Sequence, residues 1–220
     1  MKKITMFLLC LLLCGCASAV HSNADFDAVF ADEGNEIKVR HNNYTNYIDY
    51  YLPSDVKELE SQELSHVFMY NNSKMIMDLN VSGIINNRYY SDVALQNEGF
   101  FDDSRQVYNR SSVYLNEENK QVEYLFNVYE YDEEYLLYLV SKDLVFYGYA
   151  DNEDLIPLSS KMLLMARSAS IKNNDIISNF SSKEVIDYEK KQVNLFETIM
   201  PVNGQINDFL VDDLKTNNDE

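Results

Sequence analysis

Cysteine, glycine, proline and basic residues are all scarce in this chain of 220 residues, and each scarcity narrows its possible functions. The three cysteines stand at positions 10, 14 and 16, so the rest of the chain has no thiol for catalysis, disulfides or a cysteine zinc site. Six glycines and three prolines exclude collagen-like and proline-rich chains and nearly exclude glycine-rich phosphate loops. Eighteen basic against 36 acidic residues give a net charge of −18, which argues against nucleic-acid binding.

The remaining composition suits one folded domain preceded by an export segment. At about 150 residues per domain, this chain has room for little else. Hydrophobic residues make up 46% of the chain, enough for a core that buries roughly 70% of the unfolded surface. Tyrosine is the unusual component, with 17 residues and no tryptophan.

The first residues predict an export signal. Met1 is followed by Lys2 and Lys3, and an apolar run over 4–13 comes next. A basic head with an apolar run of about ten residues is typical of a signal peptide, since a membrane-spanning helix needs about twenty.

The apolar run ends in a sequence that resembles the bacterial lipobox, Leu13-Cys14-Gly15-Cys16. In that motif a branched apolar residue stands three positions before the cysteine and a small residue directly before it, as Leu13 and Gly15 do. The resemblance implies that a diacylglyceryl group joins the sulfur of Cys16 by a thioether and that signal peptidase II then cuts before this residue. The alternative is an ordinary secretory signal cut at the A-x-A site at 17–19.

These features predict the organisation of the whole chain. The segments are a lipoprotein signal peptide at 1–15, the lipidated cysteine and a flexible tether at 16–25, one acidic domain at 26–214 and a disordered tail at 215–220. Without the signal peptide, which holds two lysines and no acid, 36 acids face 16 bases, a formal charge of −20. An anionic bilayer repels such a body, so we expect the acyl chains to hold it at the extracytoplasmic face of the cell membrane.

Short β-type runs separated by polar turns predict an antiparallel sheet. The predicted strands are 37–41 with 44–52, 66–70 with 74–81, and a meander of 107–115, 121–131, 135–141 and 144–150. The meander's short connections require antiparallel neighbours, and its third strand is apolar on both faces, so we expect it inside the sheet. Residues 54–64 are expected to form a loop or short helix, and 82–105 carries the weakest pattern.

Helices are predicted after the meander. The first has apolar residues every three to four positions, namely Leu155, Leu158, Met162, Ala166 and Ala169. A second starts near Ser181, with Glu184 completing a capping box, and runs to 199, and a short last helix is predicted at 205–214. A meander followed by helices that pack on one sheet face predicts the α+β class.

The order of hairpins, meander and helix resembles the PsbP-like α/β sandwiches. The resemblance rests on 107–171 and on element order, without a sequence motif. Most such sandwiches are assembly or adaptor proteins, so it implies a non-enzymatic role.

Motifs for catalysis or metal binding are weak or missing. His41 and His66 lie on different predicted strands, with no second ligand at metal spacing. The S-x-x-K match that starts at Ser54 is expected by chance and lacks its partner motifs. The acids at 151–154 offer oxygens to calcium, but they lack EF-hand spacing and suit helix capping better. We therefore predict no catalytic residue, no cofactor and no metal site.

A cluster of tyrosines in the meander is the candidate binding face. Its members are Tyr129, Tyr131, Tyr135, Tyr147 and Tyr149. Some must lie in the core, and the others can form an exposed aromatic surface for a glycan, a peptide or a partner protein.

Two functions from different classes stay open. A non-catalytic binding or assembly module, held at the membrane by lipid on Cys16, predicts an exposed aromatic face and an envelope protein or glycan as partner. An envelope hydrolase acting on cell-wall glycan predicts a cleft with paired carboxylates and at least one raised pKa. We favour the first, because no constellation of catalytic residue types is visible.

Overall fold

Antiparallel strands dominate the part of the chain that the computed structural model describes, residues 21–89, 101–132 and 134–181. The helices are α1 Asn23–Val29, α2 Val81–Tyr89, α3 Leu155–Ser168 and α4 Asn173–Phe180, with a 3₁₀ turn at Asp103–Arg105. The strands are β1 Asn43–Tyr44, β2 Ile48–Tyr50, β3 Val56–Ser61, β4 Ser65–Tyr70, β5 Ser73–Leu79, β6 Gln106–Leu115, β7 Gln121–Tyr131, β8 Glu134–Ser141, β9 Leu144–Asp151 and β10 Ser170–Ile171.

Seven strands form one antiparallel sheet in the order β3-β4-β5-β9-β8-β7-β6. The predicted meander is confirmed as β6 to β9, and β8 lies inside the sheet with almost every side chain buried. A small second sheet has the order β1-β2-β10. The predicted α+β class, an antiparallel sheet with helices packed on it, is therefore confirmed.

The main core lies on one face of the large sheet. Strand alternation turns Tyr124, Phe126 and Val128 of β7 into this core, where α3 packs over β8 and β9. At Gly148 of β9 a Cβ would lie 3.1 Å from a methyl carbon of Leu158. The glycine therefore allows α3 to approach the sheet closely.

A smaller apolar cluster lies on the opposite face of the large sheet. Its buried members are Phe101, Tyr129, Leu136, Tyr138, Val140 and Val145. The sheet therefore separates two apolar layers, and this arrangement explains why β8 is apolar on both faces.

Two local strand predictions are wrong. Residues 37–41 form no strand, because β2 pairs with β1 on one side and with β10 on the other. The first hairpin is therefore reduced to β1 and β2. Residues 54–64, expected as a loop or short helix, contain β3, whose mostly exposed side chains carry no apolar alternation.

The helices α2 and α4 were not indicated by sequence pattern. Because α2 begins at Val81, β5 ends at Leu79 and not at residue 81 as predicted. The helix α4 ends at Phe180, just before the predicted start of the next helix. The predicted helices at 181–199 and 205–214 and the tail at 215–220 fall almost entirely outside the described residues.

The folded chain begins before the end of the predicted tether. The helix α1 starts at Asn23, with Ser22 and Asp25 forming a capping box, and Phe26 is buried in the main core. Nε2 of His21 lies 2.6 Å from the backbone oxygen of Asn152. Residues 21–25 therefore belong to the folded domain and not to a flexible segment.

Candidate functional site

Four of the five tyrosines predicted as a binding face share one face of the large sheet. Strand β7 presents Tyr129 and Tyr131, and β9 presents Tyr147 and Tyr149. Tyr135 of β8 lies in the main core on the opposite face, because Leu136 is the residue paired with Tyr129 and successive strand residues alternate faces. The structure therefore brings four of these tyrosines together and separates the fifth.

The four tyrosines differ in exposure. Tyr129 is fully buried, with Phe101 packed against it at 5.0 Å between ring centroids. Tyr131, Tyr147 and Tyr149 are half-buried at the border of the outer apolar cluster. Burial raises the pKa of Tyr149 above its usual range. Half-buried phenols of this kind offer apolar rings together with polar hydroxyls.

The charged cluster around Glu33 was missed from sequence. This carboxylate, with 13% of its side chain exposed, accepts hydrogen bonds from Arg110 Nη2 at 2.8 Å and Ser112 Oγ at 2.6 Å, and from the Tyr124 hydroxyl. Burial acts to raise the pKa of Glu33, but these hydrogen bonds outweigh it and the pKa lies below its usual range. The one sequence signal for this cluster is Arg110, a charged residue two positions after Tyr108 and therefore on the same inward face of β6.

A polar groove of about 330 Å³ lies beside this cluster. Asn23 and Asp27 of α1 form one wall, and residues 106–110 of β6 form the other. Asp27 Oδ1 accepts a hydrogen bond from the Tyr108 hydroxyl at 2.8 Å and lies 3.4 Å from Arg110 Nη1. The Asp27 side chain is still 59% exposed, so the groove presents a carboxylate to solvent.

A second groove, of about 270 Å³, lies near the opposite end of β6. Its acids include Glu117, Glu118 and Asp143, which come from two turns of the meander. Burial raises the pKa of Asp143, although Lys142 acts in the opposite direction. His41 Nε2 lies 2.5 Å from Glu117 Oε2, so one of these carboxylates already has a partner.

Within the described residues, the buried His66 does not have the contacts of a catalytic triad. Glu58 Oε1 at 3.0 Å and Ser61 Oγ at 3.1 Å both contact its Nδ1. A nucleophile–base–acid triad needs these two partners on opposite ring nitrogens. Within the described ranges, no group of three or more histidine, cysteine or acidic side chains is placed to hold a metal ion.

The acids at 151–154 shape the turn that precedes α3. Asp151 Oδ1 accepts the backbone N–H of Glu153 and of Asp154, at 3.0 and 2.9 Å. The Asp154 carboxylate accepts hydrogen bonds from Asn71 Nδ2 at 2.7 Å and Ser73 Oγ at 3.0 Å. Both carboxylates therefore serve local structure.

Comparison of the chain with protein-family models, with curated proteins and with solved structures finds no match. The predicted lipobox residues Leu13, Gly15 and Cys16 lie outside the described residues. Within the part of the chain that is described, no helix is both long enough and apolar enough to cross a bilayer.

Proposed function

We propose that this protein is a lipoprotein of the bacterial envelope, anchored at the extracytoplasmic face of the cell membrane by lipid on Cys16. The observation that carries the proposal is the lipobox-like sequence Leu13-Cys14-Gly15-Cys16, which follows a basic head and a short apolar run. The separation between this cysteine and the folded domain is short. His21 already contacts Asn152, so only residues 17–20 lie between the anchor and the fold. Five peptide steps span at most about 18 Å, so the lipid would hold the domain close to the bilayer.

Its role at the membrane is that of a non-catalytic binding or assembly module. The half-buried rings of Tyr131, Tyr147 and Tyr149, which border one apolar cluster, support this role. Aromatic side chains that combine an apolar ring with a hydroxyl are enriched at protein interfaces and suit contact with a partner protein or a glycan.

Metabolic labelling with an alkyne fatty acid tests the anchor. The wild-type chain should carry the label and stay in the membrane fraction, whereas Cys16→Ser should lose both. Cys14→Ser is the matched control, because it removes a thiol from the same motif and should keep the label. Equal labelling of the Cys16→Ser chain and the wild type would show that this cysteine is not the anchor.

Crosslinking in cells with mass spectrometry tests the binding role. A tagged wild-type chain should capture a specific envelope component that Cys16→Ser fails to capture. The double variant Tyr131→Ala and Tyr147→Ala should reduce the capture, whereas Tyr44→Ala, which truncates a tyrosine 68% exposed on the small sheet, should not. Undiminished capture by the double variant would exclude the tyrosine face as the contact.

The second candidate function, an envelope hydrolase, draws support from the groove that holds Glu117, Glu118 and Asp143. Burial raises the pKa of Asp143, as a general acid requires. Incubation with purified cell-wall glycan decides between the candidates. A binding module releases no reducing ends, whereas release that Asp143→Asn abolishes would establish the hydrolase.

A further inference from the structure

Within the described residues, no further strand covers one edge of the large sheet. There, strand β6 is the last strand and pairs only with β7. Among the described residues, its single backbone hydrogen bond on the outer side runs from Leu115 N–H to the carbonyl of Glu33. In an antiparallel ladder every second residue points the same way, so the N–H and C=O groups of Asn109, Ser111 and Val113 also point outward.

The two edges of this sheet differ in how they are protected. At the opposite edge, β3 has a register shift between Glu58 and Glu60 and carries three charged side chains. Bulges and charges of this kind are how sheets avoid adding a strand. Strand β6 also has a register shift, between Gln106 and Tyr108, but its residues 108–115 pair with β7 without a further shift. Its ten residues include no acid and one charge, Arg110, which is paired with Glu33 and lies 3.4 Å from Asp27 Oδ1. From residue 108 onward, the β6 edge therefore lacks the bulge and the several charges found on β3.

A groove runs along this open edge. Residues 106–110 of β6 form its floor, and Asn23 and Asp27, four positions apart on α1, form its wall. On the outer face of the strand, Val107 is 41% exposed and Asn109 and Ser111 are also exposed. A strand edge with a helix alongside it is the arrangement in which an extended peptide binds by strand addition.

We infer that this edge binds an extended peptide segment of a partner protein as an eighth strand, with a basic side chain of the peptide placed at Asp27. Backbone pairing to β6 supplies affinity, and the carboxylate of Asp27, which is 59% exposed, selects the charge. A chain with a net charge of −18 attracts a basic segment and repels a second copy of itself. The inference extends the binding role proposed above to a second surface and does not depend on the lipid.

Defined peptides test this inference on the full chain purified in detergent. The probe is fluorescent Lys-Val-Lys-Val-Lys-Val, compared with Glu-Val-Glu-Val-Glu-Val and with the basic peptide N-methylated at alternate amides. The basic peptide should bind at least about tenfold more tightly than either comparison peptide. Hydrogen–deuterium exchange should slow across residues 106–115 when it binds. Protection elsewhere, or equal binding of the N-methylated peptide, would overturn strand addition.

Two variants test separately whether the peptide binds by backbone pairing and whether its charge is recognised. Ser111→Pro removes an outward N–H without removing a hydrogen bond to β7. It should weaken the binding of the basic peptide about tenfold. Asp27→Asn should weaken the binding of the basic peptide and leave the binding of the acidic peptide unchanged. Glu60→Gln, on the opposite edge, also removes one negative charge and should have no effect on the binding of either peptide. Circular dichroism checks that each variant folds, and Asp27→Asn keeps the test valid if Ser111→Pro does not.

Two further outcomes would contradict the inference. If both Ser111→Pro and Asp27→Asn bind the basic peptide as tightly as the wild type does, the β6 edge is not the peptide-binding site. If the chain without peptide is a dimer that Ser111→Pro dissociates, a second copy occupies the edge. Loss of lipid labelling in the anchor experiment would leave all these peptide results unaffected, so the two proposals fail independently.

Discussion

At the scale of single residues, Glu33 joins the loop after α1 to the sheet. Replacing it by Gln should destabilise the protein by about 2 kcal/mol at pH 7, because the charged hydrogen bonds to Arg110, Ser112 and Tyr124 are lost. The pKa of Glu33 is lower in the folded chain than its ordinary value of 4.5, so this stabilisation is present above pH 4.5 and is lost as the pH falls through the lower folded value. Urea unfolding of both chains from pH 7 down to about pH 3 should show the difference narrowing below pH 4.5; a constant difference over this range would contradict the assignment.

Asp78 should show the opposite pH dependence. Burial raises its pKa to about 6 from 3.8, and one carboxylate oxygen has no hydrogen-bond partner among the described residues. Protonation therefore favours the folded state, and stability falls as the pH rises through 6. Asp78→Asn should raise the free energy of unfolding by on the order of 2 kcal/mol at pH 7 and by little at pH 4. Glu60 is an exposed acid in the same sheet, so Glu60→Gln should leave the free energy of unfolding unchanged at both pH 7 and pH 4.

The sequence was more informative about the tyrosines than about the Glu33 cluster. Tyrosine positions in confirmed strands follow from alternation, and the separate face of Tyr135 follows from its register with β7. The contact between Glu33 and Arg110 joins residues 77 apart in the chain. No local pattern encodes that contact, because the path of the loop after α1 is decided by packing of α1 on the sheet.

At the scale of elements, predictability follows burial. The meander was predictable because its strands alternate or are wholly apolar and its turns are short. The strand β3 and the helix α2 were not, since β3 lies at an exposed edge and α2 has no wide apolar stripe. Residues 37–41 show the opposite case, a strand that was predicted but does not form. A β-type sequence forms a strand only where a neighbouring strand has a free edge, and both edges of β2 are taken by β1 and β10.

The position of α2 gives a test at this scale. Gly83 lies in the first turn of α2, where a Cβ would clash with the backbone oxygen of Lys142 and lie 2.6 Å from Asn80 Nδ2. Gly83→Ala should therefore destabilise the protein by about 1–3 kcal/mol, despite the higher helix propensity of alanine. At Gly34 a Cβ would meet nothing within 4 Å, so Gly34→Ala is the matched control and should be close to neutral. Equal urea midpoints for the two variants would contradict the close contact between α2 and the turn at Lys142.

At the scale of the whole molecule, the short link between the proposed anchor at Cys16 and the folded domain predicts how the domain is oriented at the membrane. His21 contacts Asn152 in the turn after β9, whereas Glu118 lies in the turn between β6 and β7 at the other end of the sheet. The two turns are roughly 35 Å apart along an 11-residue strand. A lipid on Cys16 would hold the first turn near the bilayer, and the repulsion between anionic lipids and a processed chain with 36 acids and 16 bases would keep the far end away.

Energy transfer to a lipid dye measures this orientation. Glu153→Cys and Glu118→Cys each add a free thiol for a fluorophore, because the only other cysteine of the processed chain would carry the lipid. In anionic vesicles, transfer should be strong from position 153 and weak from position 118. A flexible insert of 20 residues between Ala19 and Val20 adds about 25 Å of reach. It should make the energy-transfer efficiencies from positions 153 and 118 similar. Equal transfer without the insert would mean that the domain lies flat on the bilayer, and the open β6 edge would then have to meet its partner at the lipid surface.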